Sequence, residues 1–458
     1  MAINYTTETA EKSIKTSLIE GSLSRFTGTE LLVGMGSKKT LTRRQVTLLA
    51  RKVVALARQN QIKDLALAWK EFRKVTEKKV SDADLAELLA TAFEMANYEH
   101  TTYKTAAREY NGVESVAIDV TPVIFKSIER GVIIGETVNQ CRELSNTPGS
   151  DMTPEILAEA AVKAAQETSV KVKVLGRAEM ERMGMGAVLG VGKGSAEEPQ
   201  FIVMEYWGTD RNKKPIVLVG KGVTFDTGGI QVKPGDHMYE MHMDMSGGAA
   251  VIFATILAAK LGVKKNVIAL IPAVENNLSN GMRPGDILKS LSGKTIEILH
   301  TDAEGRVILA DALTYAKRYN PQTVVDVATL TGASLTTLGQ VASAFMTNKD
   351  SSVPEIMDMA EVSGDYMWPL PLWEEYDDMV KGKFGDVPNI STMGNSRYGG
   401  VIAGGKFLEV FAKELECPWI HIDMAPRMTS YPGEHLAKGA AGAPVRFLLK
   451  LIEQNKVK

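Results

Sequence analysis

The chain has 458 residues, of which 44% are hydrophobic and 24% are charged, and its formal net charge is −2. Single cores stop growing at about 250–300 residues, so we expect two domains. The balance of 53 basic and 55 acidic residues creates no overall field, so neither nucleic acid nor a membrane is expected as a partner. The composition excludes the disordered and fibrous classes of protein.

Two cysteines, Cys141 and Cys417, are too few for a disulfide framework or a cysteine metal site. Such low cysteine use is typical of a reducing cytosol, and the N-terminus has no basic segment followed by an apolar stretch. We therefore expect a cytoplasmic location. The longest apolar run, 247–259, is too short to span a bilayer and predicts a buried helix.

Strand-like and helix-like patterns alternate in the N-terminal part of the chain. The predicted strands are 30–34, 64–68 and 116–120. The predicted helices are 43–60, 82–97 with Ser81 as N-cap, and 121–144. This alternation predicts a parallel sheet covered by helices.

A segment dense in turn-forming residues, 146–154, follows the long helix and marks a boundary. We therefore divide the chain into an N-terminal α/β domain at 1–125, a connecting helix and linker at 126–150, and a larger C-terminal α/β domain at 151–458. The second domain is expected to have a mostly parallel central sheet. Its predicted strands are 170–175, 201–206, 216–219, 266–271, 297–299, 323–327 and 419–423.

The most informative segment is 219–233, where a buried strand runs into a glycine-rich loop that carries Lys221, Asp226 and Lys233. Ligands of open parallel sheets bind beyond the carboxyl ends of the strands. A phosphate loop is the alternative interpretation, but the Walker spacing is missing. The loop therefore indicates a binding site of another kind.

Two further segments carry acids next to apolar helices. Asp244 directly precedes the most apolar helix and, taken alone, could simply cap it. In the segment 298–306, an extended backbone would place His300, Asp302 and Glu304 on one face. Because buried charges must be paired or bind a metal, two acids so close together indicate a cation.

Together these segments offer four carboxylates, enough charge to balance two divalent cations about 3.5–4 Å apart. Other catalytic patterns are missing from the sequence: it has no Gly-x-Ser-x-Gly elbow and no His-Glu-x-x-His motif. The residues therefore predict a two-metal hydrolase. A two-metal phosphohydrolase remains an alternative at this point.

The sequence His-Thr-Asp-Ala-Glu-Gly-Arg at 300–306 resembles the signature Asn-Thr-Asp-Ala-Glu-Gly-Arg of the leucine (cytosol) aminopeptidase family. The order and spacing of 221–233, of Asp-Met-Ser-Gly at 244–247 and of Ala-Thr-Leu-Thr-Gly-Ala at 328–333 are similar to that family as well. The likeness extends from about residue 131 to the end, whereas the first 120 residues share only a general α/β layout.

The resemblance implies a leucyl-type metalloaminopeptidase, which removes the N-terminal residue of peptides with a water activated by two metal ions. Lys233 would polarise the scissile carbonyl, and Arg306 would hold a bicarbonate that acts as general base. Asp226 and Glu304 would bridge the two ions. The implied metal ligands are Lys221, Asp226, Asp244, Asp302 and Glu304.

The resemblance also implies two divalent ions per subunit, Zn²⁺ and/or Mn²⁺, and assembly as a homohexamer. Peptides with Leu- or Met-like first residues would be the substrates, because methionine side chains adapt to several apolar shapes. The implied substrate-binding residues are Met241, His300, Thr329, Leu330, Gly332, Ala425 and Met428.

Two histidines depart from the family's pattern. His300 replaces the signature asparagine, and His242 stands where the family usually has Lys or Arg. We expect His300 to donate a hydrogen bond to the substrate, as the asparagine amide does; an extra metal ligand or a pH-sensitive group are the alternatives. A DNA-binding protein is the remaining class, since some bacterial members of the family bind DNA, but the near-neutral charge argues against it.

Overall fold

The computed structural model describes residues 2–8, 12–106, 112–394 and 398–454. The chain forms two compact units. The first comprises Met1–Gln140 and Ser430–Gly439, and the second comprises Cys141–Thr429 and Ala440–Lys458. Each unit contains both helices and sheet, so the α/β class expected from the alternating patterns is confirmed.

The first unit is built on a sheet with the strand order β1-β6-β5-β2-β4-β3. Its neighbouring strands are parallel, except for β3 with β4. The strands are β1 Asn4–Thr6, β2 Ile14–Ile19, β3 Arg25–Phe26, β4 Glu30–Gly34, β5 Asp64–Leu67 and β6 Ser115–Ile118. The helices that begin in this unit are α1 Arg43–Gln59, α2 Trp69–Val75, α3 Asp82–Asn97 and α4 Pro122–Asn146.

Local sequence explains where α1 and α3 begin. The Thr42 side chain accepts a hydrogen bond from the Gln45 amide, and the Gln45 side chain bonds back to the Thr42 amide, which makes a capping box. Ser81 caps α3 as predicted, by accepting from the Asp84 amide. The apolar faces of α1 and α3 pack together over the sheet in one core.

The second unit contains a larger sheet with the order β16-β15-β18-β14-β9-β11-β8-β7, and β10 pairs with β11 beside it. The pairs β15/β18, β11/β8 and β8/β7 are antiparallel and the other pairs are parallel, so the sheet is mostly parallel, as predicted. The strands of this sheet are β7 Lys171–Leu175, β8 Gln200–Trp207, β9 Ile216–Gly220, β10 Gly222–Asp226, β11 Asn266–Asn276, β14 Thr323–Ala328, β15 Ser343–Thr347, β16 Met367–Pro369 and β18 Trp419–Asp423.

Helices cover both faces of this sheet. Helices α5 and α8 pack on one face, and α7, α9 and α12 pack on the other. The helices of this unit are α5 Pro154–Ala165, α6 Arg177–Met183, α7 Gly186–Gly192, α8 Ser246–Lys260, α9 Glu304–Ala316, α10 Gly332–Leu338, α11 Val353–Ser363, α12 Gly400–Ala412 and α13 Val445–Gln454.

Helix α8 is a core helix. By length and composition alone, Gly235–Lys260 could cross a membrane, with a mean hydropathy of 1.3, but 89% of its most apolar window is buried inside the protein. The helix lies close to β9 because Gly220 has no side chain: a Cβ there would lie 2.6 Å from Val251 Cγ2. This confirms the predicted buried helix.

A small sheet with the order β12-β13-β17 leads into the segment rich in acids. Its strands are β12 Ile287–Lys289, β13 Thr295–Glu297 and β17 Val387–Pro388. The predicted strand 297–299 is wrong, because pairing stops at Glu297. Beyond it, the amides of Ile298 and Leu299 bond to the Asp286 carbonyl and the Asn389 side chain instead of a neighbouring strand.

Candidate metal centre

Three carboxylates converge where strands of the second unit end. Asp226 ends β10, Glu304 begins α9, and Asp302 lies in the turn before α9. Each offers an oxygen, and these oxygens all lie within 4.8 Å of one another. Asp226 and Glu304 are 1% exposed. Such a group of oxygen donors could hold a metal ion.

Lys221 follows β9 and joins this cluster to Asp244. Its ammonium lies 2.7 Å from Asp244 Oδ2 and 2.9 Å from Glu304 Oε1, and it donates to the Thr329 carbonyl at 3.0 Å. Burial alone would lower the pKa of Lys221, but the carboxylates of Asp244, Glu304 and Asp226 outweigh burial and raise that pKa. Without a metal, the residue is therefore an ammonium ion.

Lys233 approaches the cluster from the glycine-rich loop. Its ammonium lies 2.7 Å from Asp226 Oδ2 and 2.5 Å from Asp302 Oδ1. Burial opposes the charge, but Asp226, Glu304 and Asp302 raise the pKa of Lys233. The predicted residues 221, 226, 233, 244, 302 and 304 thus form one connected group of charges.

The acids of this group have pKa values that differ from their ordinary values. Burial raises the pKa of Asp226 to about 6 and that of Asp244 to about 7, against the opposing effect of the lysines. Burial and the charge of Glu304 raise the pKa of Asp302. Burial acts on Glu304 too, yet Lys221 and Lys233 hold the pKa of Glu304 below its ordinary value.

The donor set fits divalent cations. Four carboxylates face only two ammonium groups, so the group has a surplus of negative charge. Glu304 Oε2 is buried and has no hydrogen-bond partner within the described part of the chain. A buried oxygen in this state costs free energy unless a cation or donor meets it. Oxygen ligands of this kind suit Mg²⁺ and Mn²⁺, and carboxylates also bind Zn²⁺.

Two glycines shape the space around these charges. A Cβ on Gly305 would lie 2.5 Å from Lys221 Cε, so only glycine lets the lysine pass over the start of α9. Gly228 has φ +89°, a backbone conformation that favours glycine, and its amide donates to Asp226 Oδ1 at 2.9 Å. The close approach at residue 305 and the positive φ at residue 228 explain why the two motifs have glycine at these positions.

Asn276 orients Asp226 and was missed in the sequence analysis. Its amide nitrogen donates to Asp226 Oδ1 at 2.8 Å and to the Thr301 carbonyl at 3.1 Å. Asn276 ends β11, directly beside Asp226 in the parallel register of β10 and β11. Asn276 could have been predicted from one sequence feature: it is a polar residue at the end of a buried strand, as Asp226 is.

Thr301 and Gln231 interlock the two loops that carry the acids. The Gln231 amide donates to Thr301 Oγ1 at 3.0 Å, and the Thr301 amide donates to Gln231 Oε1 at 2.9 Å. Thr301 Oγ1 also donates to the Gly228 carbonyl at 2.6 Å. The glycine-rich loop and the turn before α9 therefore hold each other in place.

The backbone at 300–303 is a turn, so the extended conformation considered for it is wrong. His300 is not one of the three converging carboxylate positions. Instead, its Nδ1 accepts the Asp302 amide at 3.2 Å. In the neutral ring the proton is then on Nε2, which makes this nitrogen the donor of the ring. Burial and the charge of Lys233 lower the pKa of His300, which favours this neutral ring.

Asp244 does not cap α8, although capping was the simpler interpretation. The N-cap residue is Met245, which makes no side-chain cap. Asp244 Oδ1 instead accepts hydrogen bonds from Lys221 at 2.8 Å and from Thr329 Oγ1 at 2.7 Å. The carboxylate is therefore turned toward the charged group.

Arg306 lies in the first turn of α9 and is 7% exposed. Its Nη1 donates to the Asn389 carbonyl at 2.9 Å, while its Nε has no hydrogen-bond partner in the described ranges. Burial lowers the pKa of Arg306 to about 10. The guanidinium thus keeps a buried donor that an anion could use.

Asp423, at the end of β18, organises the segments that carry the predicted substrate-binding residues. It accepts hydrogen bonds from the amides of Leu330 at 3.2 Å, Thr331 at 3.4 Å and Ala425 at 3.2 Å, and from the Thr331 hydroxyl at 2.6 Å. Helix α10, which begins at Gly332, packs against the turn Ala425–Arg427. Asp423 had no signal of its own in the sequence.

The other predicted pocket residues lie in short turns. Met241 begins the 3-10 turn before Asp244, whose amide donates to the Met241 carbonyl at 3.3 Å. Met428 follows the turn Ala425–Arg427, and its amide donates to the Ala425 carbonyl at 3.3 Å. The structure thus ties Met241 to Asp244, and Met428 to the turn that Asp423 holds.

The chain is thus an α/β protein whose second unit carries a cluster of carboxylates and lysines able to hold a metal ion. The profile described as "Cytosol aminopeptidase family, catalytic domain" matches residues 139–449. The chain belongs to the cytosol aminopeptidase family. The N-terminal domain of the same family matches residues 15–107, so the view that the likeness begins near residue 131 was too narrow.

Curated relatives carry the same family name. A "Probable cytosol aminopeptidase" of Aromatoleum aromaticum is 45% identical over 335 residues, which cover 73% of this chain and 65% of that protein. This chain therefore matches slightly less than two thirds of that relative's length. Another, from Roseiflexus castenholzii, is 38% identical over 426 residues, which cover 92% of this chain and 86% of that protein.

A solved structure described as "Bottromycin maturation enzyme BotP in complex with Mn" is similar over nearly the whole chain. Its TM-score is 0.85 at 27% sequence identity, and the match covers 97% of this chain and 99% of that one. The fold of both units is therefore shared with that enzyme.

Proposed function

We propose that this protein is a metal-dependent aminopeptidase that hydrolyses the N-terminal residue from peptides. The observation that carries the proposal is the convergence of Asp226, Asp302 and Glu304, whose oxygens lie within 4.8 Å of one another beside two lysine ammonium groups. Membership of the cytosol aminopeptidase family supports the same reaction. A phosphohydrolase would explain the carboxylates, but not Lys221, Lys233 and Thr329 in their spacing.

Five residues are proposed to hold two divalent cations: Lys221, Asp226, Asp244, Asp302 and Glu304. Lys221 can serve only as a neutral amine, so binding a cation would have to displace its proton. Bound ions would supply Lewis-acid chemistry, acidifying a water and polarising a carbonyl. Mn²⁺ is favoured because the similar solved structure is described with Mn; Zn²⁺ is the alternative.

Lys233 and Arg306 are proposed as the catalytic residues. The Lys233 ammonium, held between Asp226 and Asp302, would donate to the scissile carbonyl oxygen and stabilise the negative charge that develops there. Arg306 has a buried Nε without a partner among the described residues. It would hold a small anion such as bicarbonate, which would take the proton from the attacking water.

The proposed substrates are peptides with Leu- or Met-like first residues. Met241 and Met428 would give an adaptable apolar pocket, and the remaining proposed lining residues are Thr329, Leu330, Gly332 and Ala425. Thr329 also has a second function, because its hydroxyl and carbonyl bind Asp244 and Lys221. His300 would donate from Nε2 to the substrate.

We also propose a cytoplasmic location, which agrees with the name of the curated relatives, and assembly as a homohexamer. Neither a membrane nor nucleic acid is proposed as a partner. The proposed domains are 1–125 and 151–458, joined by 126–150.

The test is hydrolysis of Leu-p-nitroanilide by protein stripped of metal, before and after addition of Mn²⁺ or Zn²⁺, beside an Asp302→Ala variant. Asp286→Ala is a matched control, because both aspartate side chains are 30% exposed and paired with a basic residue. We expect metal-dependent hydrolysis in the wild type and in Asp286→Ala, and loss of at least about 100-fold in Asp302→Ala.

The same proteins are assayed with p-nitrophenyl phosphate. Faster hydrolysis of this phosphomonoester than of the anilide would replace the aminopeptidase proposal with a phosphohydrolase. A folded wild type that cleaves neither substrate with any metal would contradict the proposed catalysis altogether.

A further inference from the structure

The turn between β13 and α9 carries Asp302 and ends at Glu304, yet it has no regular structure to hold it. Buried backbone groups outside helices and sheets need other partners. Helix α9 has Ala303 as its N-cap residue and no side-chain cap. The position of these two acids must therefore be fixed by contacts from elsewhere in the chain.

Besides the contacts that Thr301 makes with the glycine-rich loop, Asn389 supplies four of these contacts. Its Oδ1 accepts from the amides of Leu299 at 2.8 Å and His300 at 3.2 Å. Its Nδ2 donates to the carbonyls of His300 at 2.6 Å and Ala303 at 3.5 Å. The side chain is fully buried. This network admits one orientation of the amide, because the opposite one would place its NH₂ group against two backbone N–H donors.

The position of Asn389 is itself fixed by the small sheet. Asn389 follows β17, and β17 is parallel to β13, which precedes the turn. The Asn389 amide donates to the Glu297 carbonyl at 2.9 Å and so continues the pairing of the two strands. The two strands thus end side by side, and the side chain that follows one of them reaches the turn that follows the other.

The same residue holds Arg306. The Asn389 carbonyl accepts from Arg306 Nη1 at 2.9 Å. Asn389 therefore positions the turn 299–303 through its side chain, and the guanidinium of Arg306 through its main-chain carbonyl. A substitution at position 389 changes the side-chain contacts with the turn but keeps the main-chain carbonyl that accepts from Arg306.

We propose that Asn389 is a positioning residue, which fixes the turn 299–303 and thereby sets metal affinity and turnover without touching the substrate. This inference rests on the proposed function for its catalytic part. Replacement by aspartate would bring carboxylate oxygens against the carbonyls of His300 and Ala303. Replacement by alanine would remove the Asn389 contacts of the Leu299 and His300 amides and of the Ala303 carbonyl, while the His300 carbonyl would keep the Ala303 amide as a donor.

The test compares Asn389→Ala and Asn389→Asp with the same two substitutions at Asn266. Asn266 is a matched control: it is 3% exposed, its Nδ2 donates to the carbonyls of Asp210 and Lys213 at 2.8 Å, and its Oδ1 accepts from the Thr209 amide at 3.2 Å. It holds a loop in the same unit that carries none of the proposed site residues.

Four quantities are measured: Mn²⁺ affinity by calorimetry, kcat and KM for Leu-p-nitroanilide, the melting temperature of metal-free protein, and hydrogen exchange of the peptide covering 298–305. We expect the Asn389 variants to lose about 10- to 100-fold in Mn²⁺ affinity and in kcat. KM should change less than about threefold, because Asn389 makes no substrate contact. The Asn266 variants should lose thermal stability only.

Equal losses of stability at both positions, with wild-type Mn²⁺ affinity and kcat in the Asn389 variants, would overturn the inference while the proposed function stands. If the wild type neither binds Mn²⁺ nor cleaves the anilide, the proposed function fails, and hydrogen exchange decides about Asn389. Faster exchange at 298–305 in Asn389→Ala alone supports positioning of the turn, and unchanged exchange overturns it.

Discussion

The Lys221 ammonium lies 2.9 Å from Glu304 Oε1, while the other oxygen of that carboxylate is buried with no hydrogen-bond partner among the described residues. Oε1 of Glu304 is thus paired with the Lys221 ammonium, and the lone pairs of Oε2 are available to bind a metal ion. This arrangement makes the stability of the metal-free protein depend on the two lysines of the site.

Lys221→Met should destabilise the metal-free protein by about 3–5 kcal/mol, because breaking a buried ion pair leaves its carboxylates uncompensated. Urea unfolding in the presence of a chelator measures the free energy of unfolding. Lys173→Met serves as control, since that lysine is 65% exposed beside Glu179 and should change stability by less than about 0.5 kcal/mol. Equal free energies of unfolding of the two variants would show that the charge of Lys221 does not stabilise the metal-free protein.

Lys233→Met should lower kcat by about 100- to 1000-fold, because a donor to the developing oxyanion would be lost. KM should change much less, since this donor acts mainly in the transition state. Steady-state kinetics with Leu-p-nitroanilide and saturating Mn²⁺ provide the measurement. Lys381→Met, at an exposed lysine, should leave both constants unchanged. A rise in KM with kcat preserved would instead assign Lys233 to ground-state binding.

His300→Asn should keep kcat/KM within about tenfold of the wild type, whereas His300→Leu should lose more. The reason is that Nδ1 accepts the Asp302 amide, which leaves Nε2–H as the donor, and an asparagine amide can replace that donor. Kinetics of the two variants side by side decide this. If the leucine variant is as active as the asparagine variant, His300 does not bind the substrate by a hydrogen bond.

The buried pair of Asp326 and His421 should make stability depend on pH. His421 Nδ1 lies 2.5 Å from Asp326 Oδ1, and both side chains are fully buried. Burial alone would lower the pKa of His421, but Asp326 outweighs it and raises that pKa. The folded-state pKa is thus above the unfolded value of about 6.5. The stabilisation is complete below the unfolded pKa and is lost as pH rises through the folded pKa.

Asp326→Asn should therefore cost more stability at pH 6 than at pH 9, by about 1.4 kcal/mol for each pH unit between the folded and unfolded pKa values. Denaturant unfolding at the two pH values measures the difference, with Asp286→Asn as a surface control. An equal cost at both pH values would show that His421 is neutral throughout this range.

Much of the fold could be predicted because it depends on local patterns. Thr42 and Ser81 cap their helices through neighbouring amides, and the alternation of apolar segments sets the α/β class. The antiparallel strand pairs of the larger sheet could not be predicted, since strand pairing is decided by contacts between distant segments. The turn at 300–303 was missed for the same reason: its partner, Asn389, lies almost 90 residues further along the chain.

Local sequence patterns show which residue types follow which strands, and they predicted Lys221, Asp226, Asp302 and Glu304 as site residues. The folded chain was needed to show which oxygens meet and that Asp244 binds Lys221 and does not cap α8. It was also needed to show that Asn276, Asn389 and Asp423 hold the surrounding loops. This difference arises because a charged residue at a strand end can be recognised from the residues next to it in the sequence. An uncharged amide becomes important only when folding brings distant backbone groups within hydrogen-bonding distance.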